Sequence, residues 1–389
     1  MTLEKESIEL HEKLKGKLEV NSKVKVDSQK MLSLAYTPGV AEPCKVIQSS
    51  PEKLFDYTIK WNTVAVITDG SAVLGLGNIG AEASLPVMEG KCLLFKEFAG
   101  LNAFPIAIKS QETKEIISTI KNISPIFGGI NLEDISSPRC FEIEEALFDL
   151  NIPVMHDDQH GAAIVTLAAL ENALKVVKKE LSEVRIVING IGAAGTGITK
   201  LLLSKELTPR ELILVDREGV LFEGKPGMLK HHEELTKLTN KKKVKGTLKD
   251  ALIDADVFIG VSVAGIVSKE MVSSMNKKAI IFALANPIPE ISPEEAFKGG
   301  ASIVATGRSD LPNQVNNLLA FPGVFKGALE ARATSINQEM KLAAVKALSS
   351  CIKTPSKNNF IPNALDKKIA LKVAEEVKNA AINSGAVRK

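Results

Sequence analysis

The sequence predicts an α/β protein of two domains, the second a doubly wound parallel sheet that ends in a helical C-terminal tail. Its 389 residues exceed one ordinary core, for which about 150 residues is typical. Strand-like segments alternate with helix-length segments through most of the chain, the pattern that a parallel sheet with crossover helices requires. A glycine-rich turn, Gly190-Ile191-Gly192-Ala193-Ala194-Gly195, falls directly between a strand and a helix of the second series.

In chain order, residues 1–161 form the first α/β unit, with strands expected at 63–68, 92–95 and 105–108, where apolar residues cluster in short runs. The second unit, 162–389, opens with an Ala- and Leu-rich helix over 162–181 and continues through strands expected at 184–189, 211–216, 257–261 and 279–283. The boundary falls near Gly161, where Met155-His156-Asp157-Asp158-Gln159-His160-Gly161 reads as a loop between the two series. From Asn313 onward the chain reads as mostly helical, and an amphipathic segment over 365–380 is expected to pack back onto one of the domains.

Composition narrows the function. A hydrophobic share of 45% and a charged share of 24% are those of a globular protein able to bury a large core. A net charge of +3 and an aromatic content of 4% argue against nucleic acid as a partner and leave small molecules. Lys241-Lys242-Lys243 with Lys245 reads as a solvated loop. No stretch approaches the ~20 apolar residues of a membrane span. Cys44, Cys92, Cys140 and Cys351 are widely spaced and suit a reducing compartment. The N-terminus carries Glu4, Lys5, Glu6, Glu9, Glu12 and Lys13, unlike a secretory signal, so a cytoplasmic protein is expected.

The glycine turn has the context that binding a dinucleotide needs: it follows the 184–189 strand and opens a proline-free helix over 196–207. Gly190 makes the tight turn and Gly192 lets backbone approach the pyrophosphate; Gly195 lets helix and strand pack closely, with Ala193 and Ala194 at the helix start. Asp216 ends the next strand, where a carboxylate accepts the ribose 2′-hydroxyl and repels a 2′-phosphate. A Rossmann-like domain binding NAD follows, with NADP possible because Arg217 and Lys225 lie nearby. Gly75-Leu76-Gly77-Asn78-Ile79-Gly80 has the same spacing, but Pro86 is expected to interrupt the helix after it. That loop is read as lying near the substrate instead.

Two acidic pairs, Glu133-Asp134 and Asp157-Asp158, end apolar segments. Together they suit a hard divalent cation, Mg2+ or Mn2+, which prefers oxygen ligands; taken singly, each suits helix capping. His156 and His160 flank the second pair without the spacing of a zinc site.

Several motifs occur in one family's order: Tyr36-Thr37-Pro38-Gly39-Val40, Thr68-Asp69-Gly70 through Gly80, Gly90-Lys91, Glu133-Asp134, His156 through Gly161, Ala285-Asn286-Pro287 and Asn313-Gln314-Val315-Asn316-Asn317. The chain resembles a short bacterial-type malic enzyme from about residue 10 to about residue 345, least so after Cys351. The resemblance implies metal-dependent oxidative decarboxylation of (S)-malate to pyruvate and CO2 with reduction of NAD. It implies Glu133, Asp134 and Asp158 as metal ligands with Asp157 beside them, Tyr36 as general acid and Lys91 as general base. It implies Asn286 and Asn317, with Asn316 alongside, as holding malate near the nicotinamide, and a homodimer. From the residues alone, Lys91 also reads as a surface lysine with Lys96 as rival, and Tyr36 as a turn anchor.

One position departs from the family: larger members carry an arginine before the glycine loop that grips a substrate carboxylate, where this chain has Ala72. Backbone amides around Thr37 and Gly39, the asparagines, or a lysine of a partner subunit are the substitutes the resemblance leaves. Competing readings are a malolactic enzyme, which keeps NAD bound and forms lactate, a plain malate dehydrogenase, and a non-catalytic dinucleotide-sensing protein.

Overall fold

The computed structural model describes residues 2–204 and 208–388. Its first sheet has four parallel strands in the order β2-β1-β3-β4: β1 Thr63–Thr68, β2 Asn102–Ala107, β3 Gly129–Leu132 and β4 Val154–His156. The second has the order β10-β9-β8-β5-β6-β7: β5 Arg185–Asn189, β6 Glu211–Asp216, β7 Gly219–Val220, β8 Val257–Gly260, β9 Ile280–Ala283 and β10 Ile303–Thr306. All of its pairs are parallel except the β6–β7 edge hairpin. Every residue of β1, β3, β8 and β9 is buried, as expected of parallel strands covered on both faces.

Three expectations are corrected. Residues 92–95 are not a strand; they lie in the 20-residue helix Gly80–Ala99, whose buried Met88, Cys92, Phe95 and Ala99 recur at helical spacing. A short apolar run is ambiguous between one helical turn and a buried strand. The same helix continues through Pro86, because burial of its apolar side before and after the proline outweighs a local penalty of about 3 kcal/mol. The third concerns 155–161, which is the end of β4 followed directly by the helix Asp157–Val177; Asp157 and Asp158 suit the positive end of its dipole.

The Asp157–Val177 helix has the length and apolar content to cross a bilayer, but most of it is buried inside the protein. It joins the two halves through one core that also takes in the Gly80–Ala99 helix, β5 and the C-terminal helices Phe321–Glu330, Gln338–Ser349 and Lys367–Asn383. The last of these contains most of the expected amphipathic segment and buries Ile369, Ala370, Val373, Ala374, Val377 and Ala381. Its close approach depends on Gly327, where a Cβ would lie 2.3 Å from the Ala374 carbonyl oxygen. The opposite faces of the two sheets carry their own cores. The helices Leu3–Leu14, Gln29–Ala35 and Ala41–Ser49 bury no residue within this chain.

Candidate active site

β3 and β4 are neighbours in parallel register, Leu132 beside His156, so the residues after each emerge together at the carboxyl edge of the sheet, where α/β proteins place ligands. Glu133 and Asp134 follow β3; Asp157 and Asp158 follow β4. Glu133, Asp134 and Asp158 each offer a carboxylate oxygen within 4.8 Å of the others. The Asp134 N–H donates to Asp158 Oδ2 at 2.9 Å and the Ala72 N–H donates to the Asp134 carbonyl at 3.0 Å. These bonds hold Asp134 at φ 53°, a left-handed conformation that Asp tolerates better than most residues.

Asp157 is buried and faces another way. Its Oδ2 accepts bonds from Lys91 Nζ and, at 3.1 Å, from Asn317 Nδ2. Lys91 projects from the Gly80–Ala99 helix, donates to Glu133 Oε1 at 2.8 Å, and lies 4.0 Å from the Phe321 ring centre. Asn131 Nδ2 holds Glu133 Oε2 at 2.9 Å. Burial, with the Asp158 and Asp157 carboxylates, pushes Glu133 up to about 7 against the pull of Lys91. Burial also disfavours the Lys91 ammonium, yet Asp157 and Glu133 keep its pKa above the ordinary lysine range. An all-oxygen set of three converging carboxylates, Glu133 and Asp134 buried and Asp158 part-exposed, fits a hard divalent cation.

The dinucleotide loop follows β5. Gly190 has φ +98°, and a Cβ there would lie 2.6 Å from the Val261 carbonyl oxygen. A Cβ on Gly195 would lie 2.0 Å from the Gly190 oxygen, whereas Gly192 faces open space. The three positions thus match a tight turn, a close helix–strand contact and an approach for a ligand. Ala193 and Ala194 begin the helix Ala193–Leu203; the expected last turn, 205–207, lies outside the described residues. Asp216 ends β6, and its Oδ1 accepts the Glu218 N–H at 2.8 Å and stands 3.6 Å from Lys225 Nζ. Arg217 projects into solvent, 92% exposed, so of the two cations Lys225 is the one beside Asp216.

Family models match the chain in two consecutive stretches: the malic enzyme N-terminal domain over residues 15–147 and the malic enzyme NAD binding domain over 159–382. This chain belongs to the malic enzyme family. It is 56% identical over 392 residues to the bifunctional malic/malolactic enzyme of Bacillus subtilis, covering 100% of this chain and 95% of the relative. It is 52% identical over 377 residues to the NAD-dependent malic enzyme of Geobacillus stearothermophilus, covering 96% and 78%. The solved NAD-dependent malic enzyme of Thermotoga maritima superposes with a TM-score of 0.93 at 51% identity, covering 96% of this chain and 98% of that one. Malic enzyme likeness therefore extends past Cys351, through the C-terminal helices that complete the core.

Not every expected residue reaches the cluster. Asn317 bonds Asp157, but Asn316 turns its Oδ1 to the Leu318 N–H at 2.9 Å and caps the Asn317–Leu319 turn. Asn286 meets the 75–80 loop through its backbone: a Cβ on Gly75 would lie 2.9 Å from the Asn286 carbonyl oxygen. Tyr36 is 67% exposed after the Gln29–Ala35 helix, and among the described residues its hydroxyl has no hydrogen-bond partner. The Gly39 N–H is already bonded to the Ser33 carbonyl at 2.8 Å, which removes it from the substitutes for the missing arginine at 72. Lys96, the rival to Lys91, points to Asn102 Oδ1 at the surface.

Asn131, Arg139 and Glu144 were not singled out in the sequence. Arg139 Nη2 pairs with Asp69 Oδ2 at 2.8 Å and anchors the segment leading into the glycine loop. The only cue was polar residues set among apolar neighbours in strand β3 and in the helix Arg139–Glu145.

Proposed function

We propose that this malic enzyme converts malate to pyruvate and CO2 with reduction of NAD, and that Glu133, Asp134 and Asp158 hold the divalent cation the reaction needs. The observation that carries the reading is the single cluster in which Lys91, three converging carboxylates and Asn317 meet, with side chains from both halves of the chain. A cation held by Glu133, Asp134 and Asp158 would supply Lewis acidity toward the C2 hydroxyl, and NAD would supply the hydride acceptor; with Glu133 committed to the cation, Lys91 would be left nearer its neutral form. Lys91 takes the C2 hydroxyl proton as hydride leaves the same carbon. Asn286 and Asn317 hold the acid beside the nicotinamide, Asn316 contributing through the cap of the turn that presents Asn317, and Asp157 fixes Lys91 and Asn317 relative to each other. After the C4 carboxyl departs as CO2, the proton at C3 falls to Tyr36, which stands exposed outside the cluster in one chain and so has to be brought to the substrate by movement of its segment or by a second subunit. Gly190, Gly192, Ala193, Ala194 and Gly195 cradle the NAD pyrophosphate and Asp216 takes the ribose hydroxyls.

The substrate domain is read as ending near residue 161, and the protein as a cytoplasmic homodimer acting on small molecules, with neither nucleic acid nor membrane as partner. The dimer is supported by the unburied N-terminal helices, which leave Leu3, Ile8, Leu10, Leu14, Leu34 and Tyr36 at least half exposed; light scattering measures the assembly directly.

The deciding assay supplies L-malate, NAD and Mn2+, follows NADH, and identifies the acid product, with an EDTA-treated control and NADP in parallel. Metal-dependent NADH with matching pyruvate is expected. Likeness to a relative named malic/malolactic favours one second reading, in which lactate forms without net NADH. No turnover of malate with either cofactor removes both.

A further inference from the structure

The glycine turn between β5 and the Ala193–Leu203 helix is gripped by a histidine that the reaction described above leaves unused. His232, buried in the helix Lys230–Thr236, places its Nε2 2.9 Å from the Ile191 carbonyl oxygen, 41 residues away in the chain. A carbonyl only accepts, so the proton of this bond sits on His232 Nε2. The ring is backed in turn. His231 meets it edge-on, with ring centres 4.2 Å apart, and lies 4.8 Å from the Phe141 ring. Phe141 belongs to the helix Arg139–Glu145 of the first domain. Burial, with His232 beside it, pushes His231 down to about 4, and its Nε2 is buried with no hydrogen-bond partner among the described residues. His231 is thus an uncharged packing surface between Phe141 and the ring that holds the turn.

What this grip controls is the peptide plane between Ile191 and Gly192, which is trans. In a trans peptide the C=O and the N–H point in opposite directions. Fixing the Ile191 oxygen on His232 therefore sends the Gly192 N–H the other way. Among the described residues that N–H donates to no backbone acceptor, and a Cβ on Gly192 would meet nothing within 4 Å, so its approach is open. An N–H left free at the start of a helix suits a phosphate oxygen. Glycine gives the plane little stiffness of its own. Were the plane to rotate, a carbonyl oxygen would face the phosphates in place of the N–H.

We propose that His232 is a positioning residue for NAD: by holding the Ile191 carbonyl it keeps the Gly192 N–H aimed at the pyrophosphate. This inference rests on reading the turn from Gly190 to Gly195 as the pyrophosphate cradle.

The test measures NADH binding to the whole protein by fluorescence titration, with the KM for NAD and, at saturating NAD, the KM for malate. The variants are His232→Leu, which removes the donor, and His232→Gln, whose amide reaches about as far as Nε2; thermal melting establishes folding. Expected in His232→Leu are a Kd for NADH and a KM for NAD raised about 10–100-fold, the range for one lost hydrogen bond to a charged group, with the KM for malate within twofold of wild type. His232→Gln should restore NADH binding to within about threefold. Wild-type NADH affinity in folded His232→Leu overturns the proposal, as does a loss in His232→Gln as large as in His232→Leu. A malate KM that rises in step with that for NAD also overturns it, since the effect is then general disruption. Where His232→Leu fails to fold, His232→Asn decides, because its shorter amide stops short of the Ile191 carbonyl and should weaken NADH as His232→Leu would. Gly195→Ala separates the two readings: undiminished NADH binding there means that the turn itself is not the dinucleotide site.

Discussion

Replacing Lys91 by methionine tests the centre of the site. The substitution keeps the length and most of the apolar stem beside Phe321 and removes only the charge. Lys91 is 10% exposed and pairs with two carboxylates that are themselves 9% and 0% exposed, Glu133 at 2.8 Å and Asp157. Removing one partner of such a buried pair costs about 3–5 kcal/mol, equivalent to a melting-temperature drop of roughly 6–20 °C for a domain of this size. Glu133 already binds its proton up to about 7, so protonation relieves the variant in acid. The loss is therefore largest above pH 7 and smaller at pH 6. Turnover of malate should fall by about 10²–10⁴-fold, the range for a lost general base. Mn2+ binding should survive, because no carboxylate has been removed. Calorimetry at both pH values, steady-state kinetics and Mn2+ titration read these three quantities. A variant that turns over within tenfold of wild type refutes the base assignment, and an unchanged melting temperature at pH 8 refutes the account of the ion pair. Lys96→Ala, at an exposed lysine, should shift stability by less than about 0.5 kcal/mol and serves as control.

Because the Glu133 carboxyl ionises near 7 in the metal-free protein and near 4.5 when unperturbed, folded protein holds a proton that the unfolded chain releases between those values. Its contribution to stability therefore falls as pH rises from about 4.5 to 7, and Mn2+ must displace that proton, so affinity should drop up to about tenfold per unit below pH 7; calorimetric titration at pH 5.5, 6.5 and 7.5 checks the slope, and a flat profile contradicts it. Asp216→Ser removes the carboxylate that repels a 2′-phosphate and frees Lys225, 3.6 Å away, to meet one. The ratio of kcat/KM for NADP over NAD should rise roughly ten- to hundredfold, the worth of one charge-assisted bond. Gly195→Ala places a Cβ 2.0 Å from the Gly190 oxygen; NADH fluorescence titration should show binding lost, with about 1–3 kcal/mol of stability.

Local patterns determined a good deal on their own. The strand, glycine turn and helix around residues 184–203 are consecutive in the chain, as are Glu133-Asp134 and Asp157-Asp158, so short-range chemistry sufficed to mark them. Order of motifs along the chain carried the family, because that order survives without any knowledge of distances. What the tertiary structure alone decided depends on partners far apart in sequence. Residues 92–95 are helical, and Pro86 is tolerated, because burial against the C-terminal helices and the first sheet stabilises the whole of Gly80–Ala99. Lys91 rather than Lys96 enters the cluster because one face of that helix turns toward Glu133 and Asp157, 42 and 66 residues away. Asp157 binds Lys91 and Asn317 while its neighbour Asp158 faces Glu133 and Asp134, a division of labour between adjacent, chemically identical residues. No local pattern distinguishes them. Only the direction in which the first turn of a helix points each carboxylate does so, and that direction is set by packing between β3, β4 and the helices around them.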